Sequence, residues 1–199
     1  MINFENLVID EVSFGSLNKK IYTFVELQNL LNLKPFLNTD RFYSLSNQEN
    51  LMWDNSSWST TNHCWPIELV ENFVKNSTCF ITECSRVNKQ INEIADKLEK
   101  KFYKSVDCHL YFSLNKEYKN FGRHSDQNHN LIVVCEGQIL VEVFSKEHHS
   151  KKLSEGDFVF IPAGVDHKIN SLSNKRLSAS FCVTQDDCFI DNRDWLEIT

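Results

Sequence analysis

His124, Asp126 and His167 are the residues whose types and spacing suggest chemistry. His124 and Asp126 stand two apart, just ahead of the apolar run 131–135, which is short, rich in β-branched residues and closed by Glu136-Gly137. Such a run reads as a buried strand. If the extended conformation reaches back to His124, side chains two apart share a face. His124, Asp126 and Asn130 then point one way, with Ile132 and Val134 deeper along it. An imidazole and a carboxylate so placed are two corners of a metal site. The third comes from Gly156-Asp157-Phe158-Val159-Phe160-Ile161-Pro162-Ala163-Gly164-Val165-Asp166-His167. There an apolar strand ends at Pro162, turns through Ala163-Gly164 and delivers His167 to the next strand. Two histidines and one carboxylate, with other metal positions open, suit Fe(II) and O2 chemistry. The competing reading places all three in polar turns. An H-x-D pair arises often by chance, and it is the second motif at the right distance that favours the metal.

The elements that must carry these residues are strands late in the chain and helices early. Strands are expected at 77–85, 106–113, 129–135, 138–145, 157–162, 167–172 and 177–184, with a turn at Glu136-Gly137 and a loop over 146–154. Thr23 can cap a helix whose apolar residues are Phe24, Leu27, Leu30 and Leu31, ending before Pro35. Pro66 opens a second helix through Val74. Residues 88–102 place Ile91, Ile94, Ala95, Leu98 and Phe102 on one helical face. Residues 1–20 suggest no firm structure. Residues 38–62, with Trp53 and Trp58, lack periodicity and read as a long loop, a covering layer rather than a functional one. The expectation is a mainly β chain with N-terminal helices, a double-stranded β-helix of the cupin or jelly-roll kind. It forms a single domain over 1–199, with helical and loop cover over about 1–105 and a β-helix core over about 106–184.

The 199 residues suffice for one core, and 41% hydrophobic with 24% charged residues is ordinary for a globular protein. A net charge of −6 argues against non-specific nucleic-acid binding. No basic and apolar leader opens the chain and no apolar run approaches bilayer length, so neither export nor a membrane span is expected. Seven scattered cysteines point to free thiols in a reducing, cytoplasmic setting, and to a monomer or small oligomer without structural disulfides.

The motifs resemble those of JmjC-type, cupin-fold Fe(II)/2-oxoglutarate oxygenases, and are most similar to the asparaginyl hydroxylase of hypoxia-inducible factor and the ribosomal-protein hydroxylases. The resemblance rests on H-x-D followed by an apolar strand, with Gly137 thirteen residues after His124. It rests also on Gly156-Asp157-Phe158-Val159-Phe160-Ile161-Pro162, then His167-Lys168-Ile169-Asn170-Ser171-Leu172, then the strand 177–182. It implies iron held by His124, Asp126 and His167, with 2-oxoglutarate as cosubstrate, converted to succinate and CO2 while a C–H bond of a protein or small molecule is oxidised. It also implies that Asn130 orients the bound acid or oxygen. Three positions depart from the pattern. Ile139 stands where a Lys or Arg usually pairs with the far carboxylate of 2-oxoglutarate, Phe121 where a hydroxyl donor often sits, and Cys182 where a carboxamide does. Arg176 and Ser178, an R-x-S pair on one strand face, match a relocated anchor used by other 2-oxoglutarate oxygenases. Equally, Lys175-Arg176 reads as a solvated turn.

Other candidates are weaker. His129 falls on the face opposite His124, which suggests packing or surface. His148 and His149 lie in a Lys- and Ser-rich loop and read as solvated. His63, Cys64 and His109 have no partner at useful spacing. Cys79 and Cys84, five apart, would occupy opposite faces of a strand, and without a C-x-x-C pair a zinc ribbon is disfavoured. Cys108, Cys135 and Cys182 read as small core residues. Neither a nucleophile elbow nor a phosphate loop is present. Two alternatives to the oxygenase remain: a metal-binding cupin that does not use 2-oxoglutarate, supported by Ile139, and a metal-free scaffold.

Overall fold

The computed structural model describes residues 4–33, 41–45, 67–118 and 120–185. The elements run β1 (Ser13–Ser16), α1 (Phe24–Leu31), β2 (Phe42–Leu45), α2 (Ile67–Asn76), β3 (Thr78–Ile81), α3 (Lys89–Phe102) and β4 (Val106–Ser113). Then follow β5 (His129–Glu136), β6 (Gln138–Phe144), β7 (His148–Ser154), β8 (Asp157–Ile161), β9 (Asp166–Ser171) and β10 (Arg176–Val183). A seven-stranded sheet has the order β1-β8-β5-β10-β4-β3-β2, and a three-stranded sheet has the order β7-β6-β9. Every pairing is antiparallel. This is the jelly-roll architecture expected from the strand pattern.

Helices α1 and α3 begin where the capping residues say they should. Thr23 Oγ1 accepts from Glu26 N at 3.2 Å and donates to Glu26 Oε2 at 2.8 Å, a reciprocal cap. Asn88 Oδ1 accepts from Ile91 N at 2.8 Å, while its amide donates to Glu26 Oε1 and to Ile21 O, tying the starts of α1 and α3 together. Tyr103 closes α3 in the left-handed region at φ 56°.

The central strands β5 and β10 of the large sheet are buried on both faces, and their alternation sorts the side chains. On β5, Leu131, Val133 and Cys135 join the cluster that includes Leu27, Ile91, Ile94 and Leu98 of the helices. Ile132 and Val134 point the other way, into a second cluster with Ile139, Val141, Val143 and Val159 between the two sheets. On β10, Leu177, Ala179, Phe181 and Val183 face the helix-side cluster. The alternate residues Arg176, Ser178, Ser180 and Cys182 line a cavity. One strand thus supports the core with one register and offers polar groups with the other.

Several expectations need correction. Strand β1 forms within the stretch that suggested no structure, and β2 within the expected loop. The rest of that loop, Trp53, Trp58, His63 and Cys64 lie outside the described residues. Residues 148–154 form strand β7 rather than a loop, paired along its whole length with β6. Its exposed, lysine-bearing sequence suits a sheet edge, where charge discourages further pairing. Cys79 and Cys84 do not sit on opposite faces of one strand. Strand β3 ends at Ile81, Glu83 turns the backbone at φ 56°, and both thiols enter the same core cluster.

Gly137 closes the β5–β6 hairpin at φ +83°, and a Cβ there would lie 2.2 Å from Lys175 O and 2.4 Å from Ser173 Oγ. Both the backbone conformation and the close approach require glycine. Gly137→Ala is expected to lower stability by about 2–5 kcal/mol, the sum of left-handed strain and overpacking. A urea midpoint within experimental error of the parent would contradict this.

Cys79, Cys84, Cys108, Cys135 and Cys182 are free thiols. Titration of the denatured, unreduced protein is expected to recover all seven thiols of the chain; recovery of five or fewer would contradict this.

Candidate metal centre and its cavity

The triad is assembled by a bridge rather than by one long strand. Strand β5 begins only at His129, so the extended conformation does not reach back to His124. Instead His124 forms an isolated bridge with His167 of β9. His124 N donates to His167 O at 3.0 Å, and His167 N donates to His124 O at 2.7 Å. Gly164 N donates to Asp126 O at 2.8 Å, pinning the next residues to the turn after β8. Arg123 reinforces the strap. Its guanidinium pairs with Asp166 Oδ2 at 2.8 Å and lies 4.0 Å from the Phe144 ring centroid.

The side chains converge accordingly. Nε2 of His124 is 3.8 Å from Asp126 Oδ1, and Nε2 of His167 is 3.5 Å from Asp126 Oδ2. The potential ligand atoms of all three lie within 4.8 Å of one another. Metal–nitrogen and metal–oxygen bonds of about 2.0–2.2 Å would bring such atoms together around one ion. The tautomers suit it as well. Nδ1 of His124 faces Gly122 O at 3.1 Å and Nδ1 of His167 faces Val165 O at 3.1 Å, so each proton sits on Nδ1 and each Nε2 lone pair is free. Burial pushes His167 down, and its neutral form is the one that ligates. Asn130 donates to Asp126 Oδ2 and accepts from Ser180 Oγ at 3.3 Å, which aims the carboxylate. Among the described residues this is the one group of His, Cys, Asp and Glu side chains with metal-binding geometry.

The triad lines a cavity of about 410 Å³ that also holds Asn130, Arg176 and Ser178. Arg176 is 5% exposed, so the reading of a solvated turn is excluded. Its Nε and the hydroxyls of Ser178 and Thr78 are buried without a hydrogen-bond partner, and all three residues line the cavity. Burial pulls the Arg176 guanidinium down to about 10, with the Tyr111 phenol acting in the opposite direction. No carboxylate pairs with it among the described residues. Unpaired buried donors cost about 1–3 kcal/mol each, and more when charged. A bound anion would offset that cost.

The remaining candidates fall into place. His129 is a packing residue, stacked on Phe160 with 8° between ring planes and accepting from Ala163 N at 3.2 Å. Ile139 is fully buried in the apolar cluster between the sheets. Phe121 lies at the cavity rim, 47% exposed. His148 and His149 belong to β7, with His148 exposed and stacked on Phe144. Cys182 is half-buried on the cavity wall rather than a core residue. Thr78, Ser180 and His109 were not distinguished by sequence reasoning. Their roles arise from register across β3, β4, β5 and β10, and no local pattern marks them.

The β jelly roll thus carries His124, Asp126 and His167 beside a polar cavity. Residues 111–184, the strand-rich part of the chain, match the family model described as the cupin domain. Among solved structures, the chain is similar to the Escherichia coli ribosomal oxygenase YcfD, at 15% identity with a TM-score of 0.62, covering 94% of this chain and 53% of that one. A YcfD structure in complex with cobalt and 2-oxoglutarate matches at 16% identity and a TM-score of 0.56, covering 94% and 54%. The likeness establishes the fold, and the chain spans about half the length of these structures. No curated protein sequence matches the chain. No helix among the described residues is long and apolar enough to cross a membrane.

Proposed function

We propose that this chain is an Fe(II)- and 2-oxoglutarate-dependent oxygenase that hydroxylates a side chain of a protein or a small molecule. The observation that carries the reading is Arg176, a buried guanidinium without an anionic partner among the described residues, in the same cavity as His124, Asp126 and His167. That pairing of features fits a dicarboxylate held at one end by a metal and at the other by a cation. The YcfD complex with cobalt and 2-oxoglutarate supports the ligand class, and the description of that protein as a ribosomal oxygenase favours a protein substrate.

In this reading His124, Asp126 and His167 hold the metal, which with 2-oxoglutarate would supply oxidising power for a C–H bond. Asn130 fixes Asp126 and is itself fixed by Ser180. Arg176, Ser178 and Thr78 would receive the far carboxylate through charge-assisted and hydroxyl hydrogen bonds. Placing the guanidinium on β10 compensates for Ile139, whose side chain is committed to the core. Ile132 and Ile169 line the cavity with them and limit water there.

Ile139 also sustains the second reading, a metal-binding cupin that does not use 2-oxoglutarate. Calorimetric titration of 2-oxoglutarate into the Mn(II)-loaded protein separates the two. The oxygenase predicts one site per chain at micromolar affinity, and Fe(II)-dependent succinate formation under air. Absence of 2-oxoglutarate binding to the metal-loaded protein would make the second reading the better one.

A further inference from the structure

At the end of β10 away from Arg176, three side chains form a second constellation that the proposed oxygenase chemistry does not use. His109 Nε2 lies 3.0 Å from Asp107 Oδ2, and His109 Nδ1 lies 3.9 Å from Cys182 Sγ. Register fixes the set, with Asp107 opposite Cys182 and His109 opposite Ser180 across the β4–β10 pair. His109 and Cys182 line the cavity, and Cys182 is half-buried. A nucleophile within reach of a base that is itself oriented by a third group is the general arrangement of an activated nucleophile.

We propose that Cys182 is a nucleophilic thiol activated by His109 and Asp107, and that it is a site of covalent modification by hydroperoxides entering the cavity. His109 supports this as a cation. Burial works against its charge, but the hydrogen bond to Asp107, with the contact to Cys182, outweighs burial and pushes the imidazole up to about 10. The imidazole so held presents Nδ1 to the sulfur at 3.9 Å, where it can supply a proton to a leaving group. The other four described cysteines are fully buried and do not line the cavity. Cys79 and Cys84 are fully buried and pushed up to about 12, and burial also raises Cys108 and Cys135.

The step balances within this set. The Cys182 thiolate attacks the terminal oxygen of a hydroperoxide, an S–O bond forms and the O–O bond breaks. The leaving alkoxide takes the proton from His109 Nδ1. Sulfur is oxidised by two electrons to a sulfenic acid, and the peroxide is reduced to an alcohol, or to water when it is hydrogen peroxide. Asp107 acts as a positioning residue, holding the ring so that Nδ1 faces the sulfur. The product adds a polar atom to the cavity wall opposite Asn130, the cross-strand neighbour of Cys182.

The test uses the native, metal-free chain and does not depend on iron or 2-oxoglutarate. The protein is treated with iodoacetamide, and separately with hydrogen peroxide plus dimedone, and each cysteine is followed by peptide mass spectrometry. Cys182 is expected to react at least tenfold faster than Cys79, Cys84, Cys108 and Cys135, and to acquire the dimedone adduct. His109→Asn is expected to slow alkylation of Cys182 at least tenfold while the four buried thiols stay protected, which also shows that this variant is folded. Asp107→Asn should slow the reaction and Asp107→Glu should restore it in part. Wild-type labelling of Cys182 no faster than that of the buried four would overturn the proposal. So would an unchanged rate in a folded His109→Asn protein.

Discussion

Asp126→Ala is expected to abolish stoichiometric binding of divalent metal while leaving the fold intact. Asp126 is the member of the triad that faces both imidazoles, at 3.8 and 3.5 Å. Without its charge, two neutral nitrogens would remain, a set that binds weakly and without the facial geometry. The fold should survive because the carboxylate side chain is 40% exposed and its hydrogen-bond partner there is Asn130. The strap that carries it is held by main-chain bonds at His124, His167 and Gly164, which the substitution does not touch. Mass action gives a second readout. A metal at a hundred times its dissociation constant stabilises by about 2.7 kcal/mol, and for a chain of this size each kcal/mol raises Tm by about 2–4 °C. Wild-type Tm should therefore climb by about 5–10 °C with Mn(II), and Asp126→Ala should show no rise. Equal metal content in the two purified proteins would refute the assignment, and His124→Ala and His167→Ala should behave as Asp126→Ala does.

Arg176→Met should act in opposite directions on binding and on stability. The guanidinium is buried without an anionic partner among the described residues, so the unliganded protein bears a desolvated charge. Replacing such a charge by an apolar side chain of similar length removes that cost, and substitutions of buried ionic groups have stabilised proteins by about 1–4 kcal/mol. Hence the variant should melt higher than wild type in the absence of ligand. It should also lose at least about tenfold in 2-oxoglutarate affinity, equivalent to about 1.4 kcal/mol, with metal affinity unchanged. A lower melting temperature combined with full 2-oxoglutarate affinity would mean that Arg176 is structural and that no anion anchor lies there.

Strands β4, β5, β6, β8 and β10 were readable because their apolar residues are continuous or alternate, β9 because the Pro162-Ala163-Gly164 turn delivers His167 to it, and α1 and α3 because Thr23 and Asn88 precede periodic apolar faces. Strand β7 was not readable, since His148-His149-Ser150-Lys151-Lys152 carries no such alternation and its strand character comes from pairing with β6. Strand β1 is four residues at a sheet edge, held by β8, with Gly15 against the Phe158 ring. His124, Asp126 and His167 were legible as a set because two motifs coincided, although the shared strand face that first linked them proved to be a bridge to β9. Burial of Arg176 could not be read from Lys175-Arg176, because it depends on cover supplied by distant strands. His109 and Cys182 are separated by 73 residues, and only the register of β4 against β10 makes them neighbours.

The two-sidedness of β10 has a consequence for how this protein can change over generations. Odd-numbered positions from Leu177 to Val183 are held by the helix-side core, so variation there is filtered by folding. Even-numbered positions from Arg176 to Cys182 face the cavity, so variation there is filtered by whatever the cavity binds. A saturation library across the strand would therefore separate into two interleaved classes, abundance defects at every other codon and activity defects between them. Lineages could replace the ligand-facing series piecemeal while the interleaved series keeps the barrel closed, so that a new specificity could arise in this strand without a new fold.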